Sequence, residues 1–186
     1  MKTDITNRLS DCKLTLNEAK TRMVYCKDSH RKGSYENISF DFLGYTFRPR
    51  EAKNRKTGIF FTSFLPGISQ KSKNRIRSTI RSCRLSSDPE MNLIKINSIW
   101  EASVRGWINY YGKFYPSVLK STLQMLNHVI VRWARRKYKR FKGSFKRAWM
   151  WLIRVYQKHP KTFYHWFHGV IPCYFKLKPV KIRRAV

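Results

Sequence analysis

The chain has 186 residues, 42% of them hydrophobic and 15% aromatic. It can therefore bury the core of one ordinary domain or two small ones, and it is not a disordered tail. Forty Lys and Arg stand against ten Asp and Glu, a net charge of +30 and a pI near 10.6. A small acidic substrate does not need such an excess, whereas a polyanion spread over tens of ångströms uses it. No apolar run approaches the roughly 18 residues of a membrane span, and the start MKTDITNRLSDCK is too polar for a signal peptide. Cys12, Cys26, Cys83 and Cys173 are scattered without a Cys-x-x-Cys pair, which suits free thiols in a reducing cytoplasm.

Ile5 and Leu9, four apart, predict a short helix over 3–11. Leu14 and Leu16 alternate with polar neighbours and Arg22–Cys26 has strand character, while 27–37, with Gly33, is a polar loop. Alternation at Ile38, Phe40 and Phe42, and again at Leu43, Tyr45 and Phe47, predicts strands, with Gly44 marking a bulge or a close backbone approach. Pro49–Gly58 is then a hairpin loop, and Ile59–Leu65 the return strand ended by Pro66-Gly67.

Beyond Gly67 the period changes from two to about 3.6. Ile76, Ile80 and Cys83 form one apolar stripe, with Lys73, Arg77, Arg81 and Arg84 on an adjacent face. Ser86–Pro89 reads as a stop and restart, with Asp88 as N-cap and Pro89 at the first helical position. The next stripe is Leu93, Ile96, Trp100, Val104, Trp107 and Tyr111. A third helix starts at Pro116-Ser117, carries Leu119, Leu123, Leu126, Ile130 and Trp133, and ends in RWARRKYKRFK, residues 132–142. Gly143-Ser144 precedes a fourth helix over about 145–157, and a tail with Pro160, Gly169, Pro172 and Pro179 follows. The class is α+β, a small β-rich piece to about residue 66 and then a helical bundle.

All ten acids lie between Asp4 and Glu101; residues 102–186 hold none and carry twenty Lys and Arg. That half cannot neutralise itself with internal salt bridges. It also holds Trp107, Trp133, Trp149, Trp151 and Trp166, and bases interleaved with rings suit RNA, where cations meet phosphates and rings stack on unpaired bases. The strongest binding cluster is Arg132, Arg135, Arg136, Lys137, Lys139, Arg140 and Lys142. Arg132, Arg136 and Arg140, four apart, predict a ladder of about 6 Å per step on one helix face, comparable to phosphate spacing. Lys146 and Arg147 extend it, and the helix after Gly67 adds Lys73, Arg77 and Arg81.

Phe40-Asp41-Phe42-Leu43-Gly44-Tyr45-Thr46-Phe47 resembles the Phe-x-Phe-Leu-Gly primer-grip hairpin of group II intron reverse transcriptases. Leu14–Thr21 is similar to the Leu-x-Leu-x-x-x-Lys-Thr stretch of the same palm. Arg105-Gly106-Trp107-Ile108-Asn109-Tyr110-Tyr111 resembles the Arg-Gly-Trp-x-Asn-Tyr-Tyr signature of the maturase-specific domain, also called thumb or domain X, and His165-Trp166 stands where that domain commonly has His-Trp. The resemblance implies a truncated palm end over 1–66, with Phe42, Leu43, Gly44 and Tyr45 as a primer-grip-like turn. It implies a thumb and maturase domain over 67–186 that grips intron RNA to assist splicing. Lys20 would sit near an incoming nucleotide. In the signature helix Gly106 costs about 1 kcal/mol against Ala, justified by a close backbone approach, and Arg105 and Asn109 are candidates for RNA or for a buried polar network.

Polymerisation in that family needs carboxylates for two magnesium ions, including an Asp-Asp pair, and the sequence has no such pair. Tyr25-Cys26-Lys27-Asp28 offers one carboxylate on the wrong side of Lys20-Thr21. The expectation is a maturase end cut off after its polymerase centre, inactive alone, with no catalytic residue and no cofactor. Magnesium would belong to the missing palm or to the bound RNA. Expected partners are group II intron RNA, with DNA as a second polyanion. The uncovered palm edge would dock on a separately encoded palm fragment or a second copy. The expected compartment is the bacterial cytoplasm or an organellar matrix. His159, His165, His168 and Cys173 match no zinc spacing, and no acid in the helical half could orient a catalytic histidine. Two alternatives stand beside this reading: the C-terminal part of a split RNA-directed DNA polymerase, and a general basic nucleic-acid-binding protein.

Overall fold

A computed structural model describes residues 2–31, 33–85 and 90–174. Among the described residues six helices and three strands follow in the order α1 (Lys2–Asp11), β1 (Phe40–Phe42), β2 (Tyr45–Lys53), β3 (Phe60–Ile68), α2 (Gln70–Ser82), α3 (Leu93–Tyr111), α4 (Pro116–Lys137), α5 (Phe145–Lys158) and α6 (Tyr164–Phe167), with a 3₁₀ turn at Lys139–Phe141. The strands make one antiparallel sheet in the order β1-β2-β3, with helices after it, so the architecture is α+β. The chain divides into two compact units. One holds the residues up to Phe42 together with Thr46–Leu65, and the other holds Leu43–Tyr45 and the residues from Pro66 onward.

In the first unit α1 forms as its spacing predicts, but it buries none of its residues. The strand-like stretches Leu14–Leu16 and Arg22–Cys26 are irregular. Alternation needs a ladder partner, and Tyr25 N–H reaches only the Asn37 carbonyl, at 2.8 Å. Leu43 and Gly44 both have positive φ, 47° and 80°, so the alternation through 38–47 breaks at a two-residue type I′ turn rather than at a bulge. The β2–β3 loop is shorter than Pro49–Gly58, because β2 runs on through Pro49 to Lys53 and β3 through Pro66-Gly67 to Ile68. Both prolines sit where a missing N–H costs no ladder bond. β1 is only three residues long, which leaves one side of β2 unpaired beyond it, and β3 is an edge strand. The loop is closed by Asn54, whose Oδ1 accepts from the N–H groups of Lys56 and Thr57 at 2.9 and 3.3 Å. Among the described residues of this unit only Arg50 is buried. Its guanidinium donates to the carbonyls of Leu65 and Thr46 at 3.2 and 3.3 Å.

The second unit holds the apolar core. α4 buries ten residues, among them Leu119, Leu123, Leu126, Ile130 and Trp133, and packs against α2, α3 and α5. Ile76 and Ile80 of α2 and Ile96, Trp100 and Val104 of α3 are buried as their spacing predicts. Each large side chain removed from water contributes about 1.5–3 kcal/mol. Cys83 is the C-cap of α2 and not a helical residue. Asp88 and Pro89 lie outside the described residues; α3 begins at Leu93, where the Asn92 side chain accepts from Lys95 N–H at 3.0 Å. Ser144 caps α5 by accepting from Arg147 N–H at 3.3 Å, after Gly143 at φ +81°.

The Pro-punctuated end is no loose tail through residue 174. Phe163, Trp166 and Val170 are core residues; Pro179 lies outside the described residues. Asn127 ties this end to α4. Its Oδ1 lies 3.0 Å from His165 Nε2 and accepts from Trp166 Nε1 at 2.8 Å, while its amide donates to the Val170 carbonyl and Gln124 Oε1 at 3.1 and 2.9 Å. Burial lowers the His165 pKa to about 3, so the ring is neutral. No described helix is long and apolar enough to cross a membrane.

Candidate nucleic-acid interface

Ten cationic residues line two grooves, both within the helical unit. α4 stops at Lys137. Tyr138, at φ −104° and ψ 115°, leaves helical geometry and packs edge-on against Trp133 and Phe141, with centroids 5.9 and 5.8 Å away. The predicted ladder therefore ends after two rungs: Arg132 and Arg136 share a helix, while Arg140 lies on the 3₁₀ turn.

The first groove, of about 430 Å³, is lined by Arg81 of α2, by Cys83, Arg84 and Leu85 after it, by Arg132, Arg135 and Arg136 of α4, and by Lys142. Its apolar lining includes Leu85 and Val129, both largely buried, and among the described residues no carboxylate lines it. Low-dielectric walls around six cations focus a positive field. Two of the arginines are held in place: Arg136 donates to the Leu85 carbonyl at 3.2 Å, and the Arg135 guanidinium lies 5.3 Å over the Phe145 ring. His128, one turn before Arg132 and edge-on to Trp149 at 5.0 Å, is lowered in pKa by burial and then by the Arg132 charge, so it adds no cation near neutral pH.

The second groove, of about 590 Å³, is lined by Arg140, Phe141, Lys146, Arg147, Met150, Trp151 and Arg154. Arg140 stacks over Phe141 at 4.7 Å and Tyr138 at 5.5 Å, fixing a cation in the same groove as the exposed Met150.

The other sequence candidates are dispersed. Lys73 and Arg77 are half-buried on α2 and line neither groove, and Lys139 is exposed on the 3₁₀ turn. Arg105 pairs with Glu101 at 2.8 Å and covers the Tyr164 ring at 5.0 Å, which leaves it little free charge. Asn109 is exposed beside Lys113, Lys120 and His168 in a third depression, so it joins no buried network. Gly106 has open space where a side chain would stand, and no backbone approaches it. Lys20 borders a depression with Thr21, Arg22 and Asp41. Among the described residues no three His, Cys, Asp or Glu cluster around a possible ion.

The turn residues meet the signature helix. Tyr110 Oη donates to the Leu43 carbonyl at 2.8 Å, the Tyr45 hydroxyl donates to the Tyr110 carbonyl, and Ser72 Oγ donates to the Gly44 carbonyl at 3.0 Å. Tyr111 Oη lies 3.2 Å from Ser72 Oγ. A Cβ on Gly44 would stand 2.9 Å from the Ser72 and Tyr111 hydroxyls, so side chains rather than backbone make the close approach there. Phe42 and Leu43 are exposed, and burial raises the Tyr45 pKa. Sequence reasoning put Arg84 on the basic face with Arg81 but not among the binding candidates, and it left out Arg154 and Asn127. Arg154 carries a visible signal, seven residues after Arg147. Asn127 carries none.

Residues 73–151 match the family model described as "Group II intron, maturase-specific domain". No curated protein matches the chain, and no solved structure does. The matched stretch contains the whole first groove and the Arg105–Tyr111 signature. Residues 73–151 are therefore similar to a group II intron maturase-specific domain, in agreement with the resemblance read from the Arg105–Tyr111 segment.

Proposed function

We propose that the module binds group II intron RNA through the two basic grooves of its helical unit and thereby assists splicing. The observation that carries this reading is the first groove: five arginines and one lysine from α2, α4 and the segments following them converge, with no carboxylate among the described lining residues. Arginine forks suit phosphate oxygens, and no carboxylate of the described residues competes for them there. RNA is favoured over a protein ligand because the +20 of residues 102–186 is spread along the sequence and Arg132, Lys139, Arg140, Lys142, Lys146 and Arg147 are exposed, as phosphate contacts require. In this reading residues 67 onward form the thumb and maturase domain, and residues 1–66 a palm end. The test is binding to structured intron RNA across a salt series, together with splicing of the precursor at reduced magnesium. Affinity that falls steeply with salt, with faster splicing, supports the reading; no binding at about 0.1 M salt contradicts it.

A second reading rests on a different observation. The first unit exposes Phe40, Phe42, Phe60 and Phe61 and buries no described apolar residue. That suits a surface completed by a polymerase palm supplied by other polypeptide, in the same or a separate chain. Because residues 1–186 hold no Asp-Asp pair, this chain alone should not extend a primer on an RNA template with magnesium and deoxynucleotides. Template-dependent extension by the purified chain would refute that.

A further inference from the structure

The two grooves differ in what lies between their cations. In the first, Ile80, Leu85 and Val129 are 0%, 4% and 8% exposed, so it offers charge and little apolar surface. In the second, Met150 is 39% exposed and Trp151 only half-buried, and both line the hollow. Arg140 completes that surface. Its guanidinium lies over the Phe141 and Tyr138 rings, and Phe141 packs in turn against Trp151 with centroids 5.5 Å apart. The rings hold the guanidinium from one side while the residue is exposed, which leaves its other side to solvent. A guanidinium is planar and weakly hydrated, and bases stack on its face as they do on an aromatic ring. Lys146, Arg147 and Arg154, exposed on α5, add charge around it, with no carboxylate among the described lining residues. A phosphate needs the charge alone. A stacking face beside exposed thioether and indole suits a base as well, and a base can reach it only when it is unpaired. About 590 Å³ is within the range of small-ligand sites.

We propose that the second groove takes one unpaired nucleotide of the RNA. Its base stacks on the outer side of Arg140 beside Met150 and Trp151, and its flanking phosphates meet Lys146, Arg147 and Arg154. The proposal rests on the RNA-binding reading above and adds a preference that bulk charge does not give. An acidic peptide would meet the cations but brings no flat ring to the stacking face.

The test compares a blunt RNA duplex with the same duplex carrying one bulged 4-thiouridine, using the full chain. The bulged RNA should bind about tenfold more tightly, and its ultraviolet crosslink, mapped by peptide mass spectrometry, should fall on Met150 or Trp151. Arg140→Lys keeps the charge and removes the planar face. It should reduce the preference to under about threefold while duplex affinity and its salt dependence stay within twofold of the unmodified chain. Should Arg140→Lys fail to fold by circular dichroism, the crosslink position in the unmodified chain decides alone. Equal affinity for the two RNAs, a crosslink outside the groove, or a preference that survives in folded Arg140→Lys overturns the nucleotide proposal and leaves RNA binding standing. Displacement of the bulged RNA by polyglutamate as readily as by unlabelled bulged RNA overturns it in favour of a general polyanion groove. Failure of both RNAs to bind overturns both readings.

Discussion

The two units invest their apolar residues in opposite ways. The helical unit places Trp133, Trp166, Phe163 and a row of Leu and Ile at 2% exposure or less. The first unit, with Phe40, Phe42, Phe60, Phe61, Ile59 and Met23, leaves them on the surface and buries only Arg50 among its described residues. Hydrophobic content alone therefore does not define a core; the same residue types stabilise one region and form an unsatisfied face on the other. The two kinds of surface divide in the same way. The basic grooves lie on the well-packed unit, where rigid helices hold the cations in place, and the apolar face lies on the unit with little core of its own.

Truncation separates the units most sharply. Trp133→Ala should cost about 3–5 kcal/mol in chemical denaturation, because it opens a large cavity beside Tyr138. Phe60→Ala, at a residue 61% exposed, should stay within about 0.5 kcal/mol. Comparable losses would mean that the first unit has a core of its own.

A smaller effect is expected at the Asn127 tie. Asn127→Leu leaves Trp166 Nε1, and the ring nitrogen of His165, without their acceptor, costing about 2–4 kcal/mol. The same tie gives a pH signature. His165 titrates near 3 in the folded chain, against 6.5 for its ordinary value. The unfolded chain therefore binds the extra proton between those pH values. The stability it gives is complete above pH 6.5 and is lost on acidification toward 3, by up to about 1.4 kcal/mol per pH unit. His165→Gln should flatten that part of the stability profile; an unchanged slope would show that the ring is not buried neutral.

Gly44→Ala tests the turn. At φ +80°, facing the Ser72 and Tyr111 hydroxyls, it should cost about 1–2 kcal/mol, whereas Gly106→Ala, with open space around it, should stabilise α3 by about 1 kcal/mol.

The helices were legible because each buries a 3.6-period stripe, as Ile96, Trp100 and Val104 do, and burial is the signal that periodicity encodes. The strand character of 14–26 misled, because alternation without a partner strand has no physical consequence. At the interface, residue types were legible and their division was not. No Gly or Pro announces the break after Lys137; ring packing of Tyr138 against Trp133 and Phe141 makes it, and that depends on contacts no local pattern carries. Asn127 was invisible for the same reason, since its partners lie about forty residues away.

The contrast between the units is tested most directly by the salt dependence of intron RNA binding in two charge-matched triple variants. One replaces Arg132, Arg135 and Arg136 of the first groove by Gln; the other replaces Arg48, Arg55 and Lys56, all exposed in the first unit. Gln keeps much of the aliphatic stem and the helix propensity. If the groove holds phosphates, the first variant reduces the slope of log K against log salt by about 2–3 units, and the second leaves it within about half a unit of the unmodified chain. Equal slopes and equal affinities for the two variants would contradict an ordered site on the helical unit and leave only diffuse attraction to a basic surface.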